Sequence, residues 1–195
     1  VGCPPVNDNP CNATVAVVND DILCAVRTSG TILAATTSDI PDPSCGGSAD
    51  DDVWFQFEAQ SESQLIALAN IAGSDTNLGH ALYEGTCDSL VEIACAETGL
   101  FGSELSSATP QLTIGSTYYI RVFSVGTSNE DTTFDLCITP YVAPVNLACD
   151  LADNYCSGSD ATDILYTYNT INQNDGAGQI ECLFTTPNPT SSVLE

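Results

Sequence analysis

Short runs of alternating apolar and polar residues, spaced at intervals of about ten residues with no helical period between them, most restrict what this chain can become. The clearest is Val53-Trp54-Phe55-Gln56-Phe57-Glu58-Ala59. In an extended segment Val53, Phe55, Phe57 and Ala59 share one side and face a core, while Gln56 and Glu58 face water. Immediately ahead stand Asp50, Asp51 and Asp52, at a strand end, where loops carry function.

Two runs precede this one, Ala13 to Val18 and Gly30 to Thr37. After it come Gln64 to Ile71, Leu78 to Tyr83, Leu90 to Cys95, Pro110 to Ile114, Thr117 to Val125 and Thr133 to Thr139, set off by Gly, Ser, Asp or Asn. Gly115-Ser116 is a two-residue hairpin signal. In the last run Phe134, Leu136 and Ile138 point inward and Cys137 to the opposite face. Roughly eight or nine such strands predict an all-β fold, an antiparallel β-sandwich, with a barrel as the main alternative.

The 195 residues suffice for one domain with a substantial core, or one domain plus part of another. Against 26 Asp and Glu there are two basic residues, Arg27 and Arg121, giving a formal charge of -24. Almost no carboxylate can find a salt-bridge partner, so repulsion is relieved by solvent, salt or divalent cations. Nucleic acid is excluded as a natural partner and anionic membranes are disfavoured. No apolar run approaches the roughly 20 residues of a membrane span, so no membrane insertion is expected. Methionine is absent and no basic-then-apolar signal segment is seen, so the chain reads as a processed protein or a piece of a longer one.

Ten cysteines, none in a Cys-x-x-Cys arrangement, with a single histidine, read as disulfides rather than zinc ligands, and so place the chain in an oxidising, extracellular compartment. Cys11 and Cys24 flank the first run; a bridge between them would contribute about 3 kcal/mol in the chain-entropy model. Cys87 and Cys95 span a turn and are expected to be bonded. Cys45 with Cys137 and Cys156 with Cys182 follow, which leaves Cys3 and Cys149 as a crossing pair. Sequence does not determine connectivity, and other pairings stay open.

After the linker Tyr141 to Pro144 the chain begins again. Pro5-Val6-Asn7 with Cys11 and Ala13 is echoed by Pro144-Val145-Asn146 with Cys149 and Ala152, the mark of tandem modules. We expect one sandwich over 1–142 and, over 143–195, a short incomplete second β module, either truncated or completed by strands of another chain.

Cys11-Asn12-Ala13-Thr14, Gly30-Thr31, Asp52-Val53-Trp54-Phe55-Gln56-Phe57, Ala81-Leu82-Tyr83-Glu84-Gly85-Thr86-Cys87 with Leu90 and Ala94-Cys95, and Gly115-Ser116-Thr117-Tyr118-Tyr119-Ile120-Arg121-Val122 occur in an order that resembles the bacterial pre-peptidase C-terminal (PPC-like) domains. The resemblance covers roughly residues 5 to 140. Cys182-Leu183-Phe184-Thr185-Thr186-Pro187-Asn188-Pro189 resembles the beginning of a second module from the same class of large surface proteins of gliding bacteria. The resemblance implies a jelly-roll-like sandwich without catalysis, often calcium-stabilised, used as an accessory or adhesive module. It implies no fixed ligand.

Several residues are candidates for chemistry. Asp50, Asp51 and Asp52 offer the hard oxygens that Ca²⁺ takes in sixes to eights, and Asp75 with Asn77 is a second candidate; the plain alternative is a solvated acidic loop. Trp54 alternates away from the core side and could stack on a sugar from an exposed sheet face, although such a Trp is more often covered. Asn12 lies in an N-glycosylation sequon, and Ser89 and Thr132 in short patterns like an O-glycosylation motif. Arg121 should pair with one of the many carboxylates. His80, the only histidine, falls inside a strand away from any nucleophile elbow, so no enzymatic activity is expected. These features predict an extracellular structural and adhesive module of a cell-surface adhesin or filament, whose partners are neighbouring modules or identical subunits and possible targets surface glycans. The alternative is a carbohydrate-binding accessory domain of a secreted hydrolase.

Overall fold

The computed structural model describes residues 2–74, 76–97, 105–126 and 131–141, all within the compact unit Val1–Val142. The expected second module and its Cys149, Cys156 and Cys182 lie outside the described residues, as does Asp75. The strands are β1 (Thr14–Val15), β2 (Thr28–Thr31), β3 (Val53–Glu58), β4 (Gln64–Ala72), β5 (Leu78–Thr86), β6 (Ser89–Glu97), β7 (Leu105–Ala108), β8 (Thr117–Ser124) and β9 (Thr133–Pro140). They form a five-stranded sheet, β1-β3-β8-β5-β6, and a four-stranded sheet, β2-β9-β4-β7. Apart from the short parallel β1–β3 pair, the strand pairs are antiparallel. This is the antiparallel β-sandwich that the alternation predicts.

Val53, Phe55 and Phe57 of β3 join Ile120 and Val122 of β8 and Leu78 and Leu82 of β5 against Ile66, Leu68, Phe134, Leu136 and Ile138 of the other sheet. Each such side chain contributes about 1.5–3 kcal/mol on burial. Phe55 and Phe134 meet edge to face across the sheets with centroids 5.8 Å apart. Gly30 makes room for them: a Cβ there would lie 2.5 Å from the Phe134 ring and 2.8 Å from that of Phe55.

The opposite face of the five-stranded sheet is covered too. Trp54, Arg121, Ala81 and Cys95 form one cross-strand row over β3, β8, β5 and β6. The segment before β3 lies over this row, and Ala49 packs with Trp54, Ala81, Tyr83 and Phe123 while Ile40 and Cys45 border them. The sandwich therefore has a second, smaller core outside its sheets.

Three expected bridges are corrected. The bonds are Cys11–Cys87, Cys24–Cys137 and Cys45–Cys95, with Cα separations of 4.9, 6.1 and 5.5 Å. Cys87 and Cys95 cannot bond to each other because extended β6 runs between them, about 26 Å of backbone, against the roughly 4.4–6.8 Å a bridge spans. Cys11 and Cys24 are parted because the chain changes sheets between them: β1 pairs with β3, whereas Val18 bridges to Ile138 of β9. Cys45 belongs to the cover of the five-stranded sheet and Cys137 to β9 of the other, so they do not meet either. The observed bridges close loops with sequence separations of 76, 113 and 50 residues. Each is worth about 4–5 kcal/mol in the chain-entropy model, more than the local pairing would be. Cys3 is exposed and unbridged among the described residues.

Other departures are local. The second strand is Thr28–Thr31 and not Gly30 to Thr37, since Ile32 to Ala35 turns, with Ala35 N–H donating to the Ile32 carbonyl at 2.9 Å and Ala34 at φ 59°. The run Pro110 to Ile114 is not a strand. Instead the chain lies beside 59–64, with Leu112 N–H donating to Glu62 and Gly115 N–H to Ala59, at 2.7 and 2.8 Å. The strand of that region is β7, whose residues Leu-Ser-Ser-Ala give little β signal of their own.

Candidate functional site

The strongest concentration of charge and hydrogen bonding is at the start of β3, beneath the covering segment. Asp52 and Arg121 are both fully buried, with Arg121 Nε donating to Asp52 Oδ2 at 2.7 Å. Asp52 also accepts the Ser38 N–H at 2.8 Å, the Ser38 hydroxyl at 2.5 Å and the Trp54 indole N–H at 2.9 Å. Arg121 donates further to the carbonyls of Pro41 (2.8 Å) and Ala49 (3.4 Å), and its guanidinium carbon lies 5.5 Å from the Trp54 ring centroid. A guanidinium and carboxylate taken out of water need this many partners to offset desolvation. Their geometry serves the covering segment: Ser38, Pro41 and Ala49 are all tied to one ion pair on the sheet.

The three aspartates consequently do different things. Consecutive residues of an extended chain point to opposite sides. Asp51, also buried, accepts the Ser124 N–H and hydroxyl at 3.1 and 2.8 Å. Asp50 is exposed, with the Ser48 hydroxyl at 3.2 Å. Among the described residues, the three carboxylates of the run thus take separate partners. Among the described residues, the grouping of potential metal-binding side chains that does converge is Cys11, Cys87 and Asp88, two of which are spent in a disulfide. At the second calcium candidate, the Asn77 carbonyl accepts the Val125 N–H at 3.0 Å. Nearby, Asp131 accepts the Ser74 N–H at 2.7 Å, which holds its carboxyl below the usual carboxylate range.

Trp54 is not a ligand platform: its ring is fully buried and tilts against Tyr83 with centroids 5.3 Å apart. Among the described residues Tyr119 and Tyr141 are half-buried and the other aromatic side chains are buried. Burial pushes the Tyr83 phenol up, against the opposing pull of Arg121. Its hydroxyl lies 3.4 Å from Glu92, which also accepts the Ser44 N–H at 3.2 Å and the Ser44 hydroxyl. Beside the Cys45–Cys95 bridge, this contact gives the cover a second attachment to β6.

Of the glycosylation candidates, Asn12 is exposed in the 3₁₀ turn Pro10–Asn12 and Ser89 is exposed at the start of β6. Thr132 is fully buried, so its hydroxyl is out of reach of a transferase.

His80 lies between the sheets, 2% exposed, with Nε2 3.2 Å from the Ser107 hydroxyl of β7. The pair is two-thirds of a nucleophilic triad in composition only, because His80 Nδ1 is buried without a partner and no acid orients the ring. Desolvation lowers the imidazole to about 4, which keeps it neutral near pH 7. The contact joins β5 to β7.

Sequence reading anticipated a carboxylate partner for Arg121 but not which one. The available signal was the register of two strong strands: Trp54 and Arg121 are both on the nominally wet face, and a Trp and an Arg sharing a face beside an Asp run invite a cover.

Neither a family profile nor a curated protein sequence matches the chain. Among solved structures, the pre-peptidase C-terminal domain of collagenase from Bacillus anthracis is similar at a TM-score of 0.38 and 15% identity, over 65% of this chain and 93% of that one. Similarity at that level identifies no family. The β-sandwich assignment stands on the strand pairing itself.

Proposed function

We propose that this chain works as a non-catalytic extracellular structural module with an adhesive role in a larger bacterial surface assembly. The observation that carries the proposal is the locking of the covering segment. The three bridged cysteines before β3, Cys11, Cys24 and Cys45, bond to three different later elements, and the most elaborate polar cluster holds the Ser38–Ala49 cover rather than opening a site. Such bridges persist in oxidising compartments, where a highly acidic surface keeps modules soluble and separate. Cations act on it through overall charge, since Asp50, Asp51 and Asp52 take separate partners among the described residues.

Beads coated with the chain and challenged by shear on polysaccharide-, protein- and mineral-coated surfaces test the adhesive part. Retention above that of beads carrying an unrelated protein of matched charge supports it; equal retention on every surface removes it. Melting in Ca²⁺, Na⁺ at equal ionic strength, and EDTA tests the cation reading. Similar midpoints in the two salts are expected, and a gain confined to Ca²⁺ would reveal a dedicated site.

A further inference from the structure

The loop between β1 and β2 is held more firmly than a surface connection needs. Asn19, nearly buried, clasps it: Oδ1 accepts the Val26 N–H at 2.9 Å, and Nδ2 donates to the carbonyls of Val26 and Ile138 at 2.9 and 3.1 Å. Cys24 ties it to β9, and Asp21 accepts the Leu23 N–H at 2.9 Å. At the tip of this braced loop Ile22 and Leu23 remain 71% and 76% exposed, with Val26 exposed beside them. A pre-shaped apolar tip adds nothing to its own core and lowers the ordering cost of an association.

Next to the tip, the outer face of the four-stranded sheet carries an open groove of about 410 Å³, lined by Ile22, Arg27, Leu65, Ala67, Ala69 and the Cys24–Cys137 bridge. The small side chains of β4 leave space there for an apolar knob.

Charge selects the occupant. The protein has two basic residues, and Arg121 is buried, so Arg27 is the exposed cation of a chain whose formal charge is -24. Nearby, Asp135 is held below the usual carboxylate range by hydrogen bonds from Asn70 and Ser29, with a smaller pull from Arg27. At the other end of the same loop Asp20 is exposed. A loop with an acid at one end, a cation at the other and an apolar tip between is complementary to itself across a two-fold axis. Elsewhere acidic surface would meet acidic surface.

We propose that the Asp20–Arg27 loop is a homotypic contact, in which a second copy of this chain docks antiparallel. Ile22 and Leu23 of each copy enter the groove of the other, and Arg27 of each faces Asp20 of the other. The inference rests on the module reading above for its setting, a surface on which many copies lie side by side.

Sedimentation of the full chain over a wide concentration range tests it. A weak, reversible dimer is expected, loosened at least about tenfold in Kd by Ile22→Asp with Leu23→Asp. Arg27→Glu and Asp20→Arg should each weaken self-association alone, and an equimolar mixture of the two should restore a heterodimer, since both ion pairs reform, one as in the parent and one with reversed sign. Unchanged melting and near-ultraviolet dichroism of these surface variants keep the result separate from misfolding. A chain monomeric throughout, a dimer indifferent to the Ile22 and Leu23 changes, or a mixture no tighter than its components overturns the assignment. If the apolar substitutions abolish bead retention while the chain stays monomeric, the tip docks another molecule and the homotypic contact is rejected. A dimer with this charge-swap behaviour on beads that are not retained leaves the contact standing and removes only the adhesive role.

Discussion

Between Gly2 and Asp52 the regular strand is β1 and β2, two and four residues long, whereas Val53 to Pro140 carries seven strands, five of them eight or nine residues long. The later region orders itself by ladders and an inter-sheet core. The earlier one supplies Ala16, Ile32 and Ala49 to the cores, and is otherwise held by three bridges, the Asn19 clasp and the Asp52–Arg121 cluster. A chain that cannot fund its cover with apolar burial can hold it with a few directed, non-local bonds. The two regions should therefore fail differently.

Reducing the bridges gives the largest expected effect. Each is worth about 4–5 kcal/mol, although their loops overlap and the values do not add. Under reductant, limited proteolysis followed by mass measurement should find the first cuts before Val53, with β3 to β9 protected for longer. Cuts appearing together in both regions would show that the cover and the sandwich are one cooperative unit.

Next comes Arg121→Ala, which leaves Asp52 buried without its cation and should destabilise by about 3–5 kcal/mol in denaturant unfolding. Pairing it with Asp52→Asn should recover part of the loss. If the double variant is as unstable as the sum of the two single ones, the ion pair is not what couples cover to sheet.

Acid probes the sandwich instead. His80 has an ordinary pKa of 6.5 and about 4 when folded, so the unfolded chain takes up the proton first. Stability from this group is complete above pH 6.5 and is lost as pH falls toward 4, by about 3 kcal/mol. The lowered carboxyls of Asp131 and Asp135 act in the same direction at lower pH. Stability of His80→Leu measured from pH 7 to 4 should fall less steeply than that of the parent; parallel curves would remove His80 as the cause.

The smallest effect is expected at Gly30, where a Cβ would press on the Phe134 and Phe55 rings. Gly30→Ala should cost about 1–3 kcal/mol by overpacking. An unchanged midpoint would mean that β2 can slide away from the core.

What was legible in the sequence follows the same division. Strands whose alternation is strong, Val53 to Glu58 and Thr133 to Pro140, were readable because one face must be apolar whatever the rest does. The β7 segment was not, since Leu105 to Ala108 is strand by virtue of β4 beside it. Trp54 was assigned to the correct face, but its burial depends on a loop whose path is decided by Cys45 and Arg121, and disulfide partners follow from the completed topology. Asp50, Asp51 and Asp52 looked alike as letters and differ because one meets an arginine, one a serine and one the solvent.

The interlacing of the bridges also limits how far the chain can be drawn out. If tension unravelled Cys11 to Cys137 with the bridges open, that stretch would lengthen to about 440 Å. With Cys24 bonded to Cys137, only the backbone between Cys11 and Cys24 is left to extend, about 45 Å, before load passes through sulfur. A row of such modules would behave as a short tether that stiffens early, and reductant would convert it into a long and compliant one.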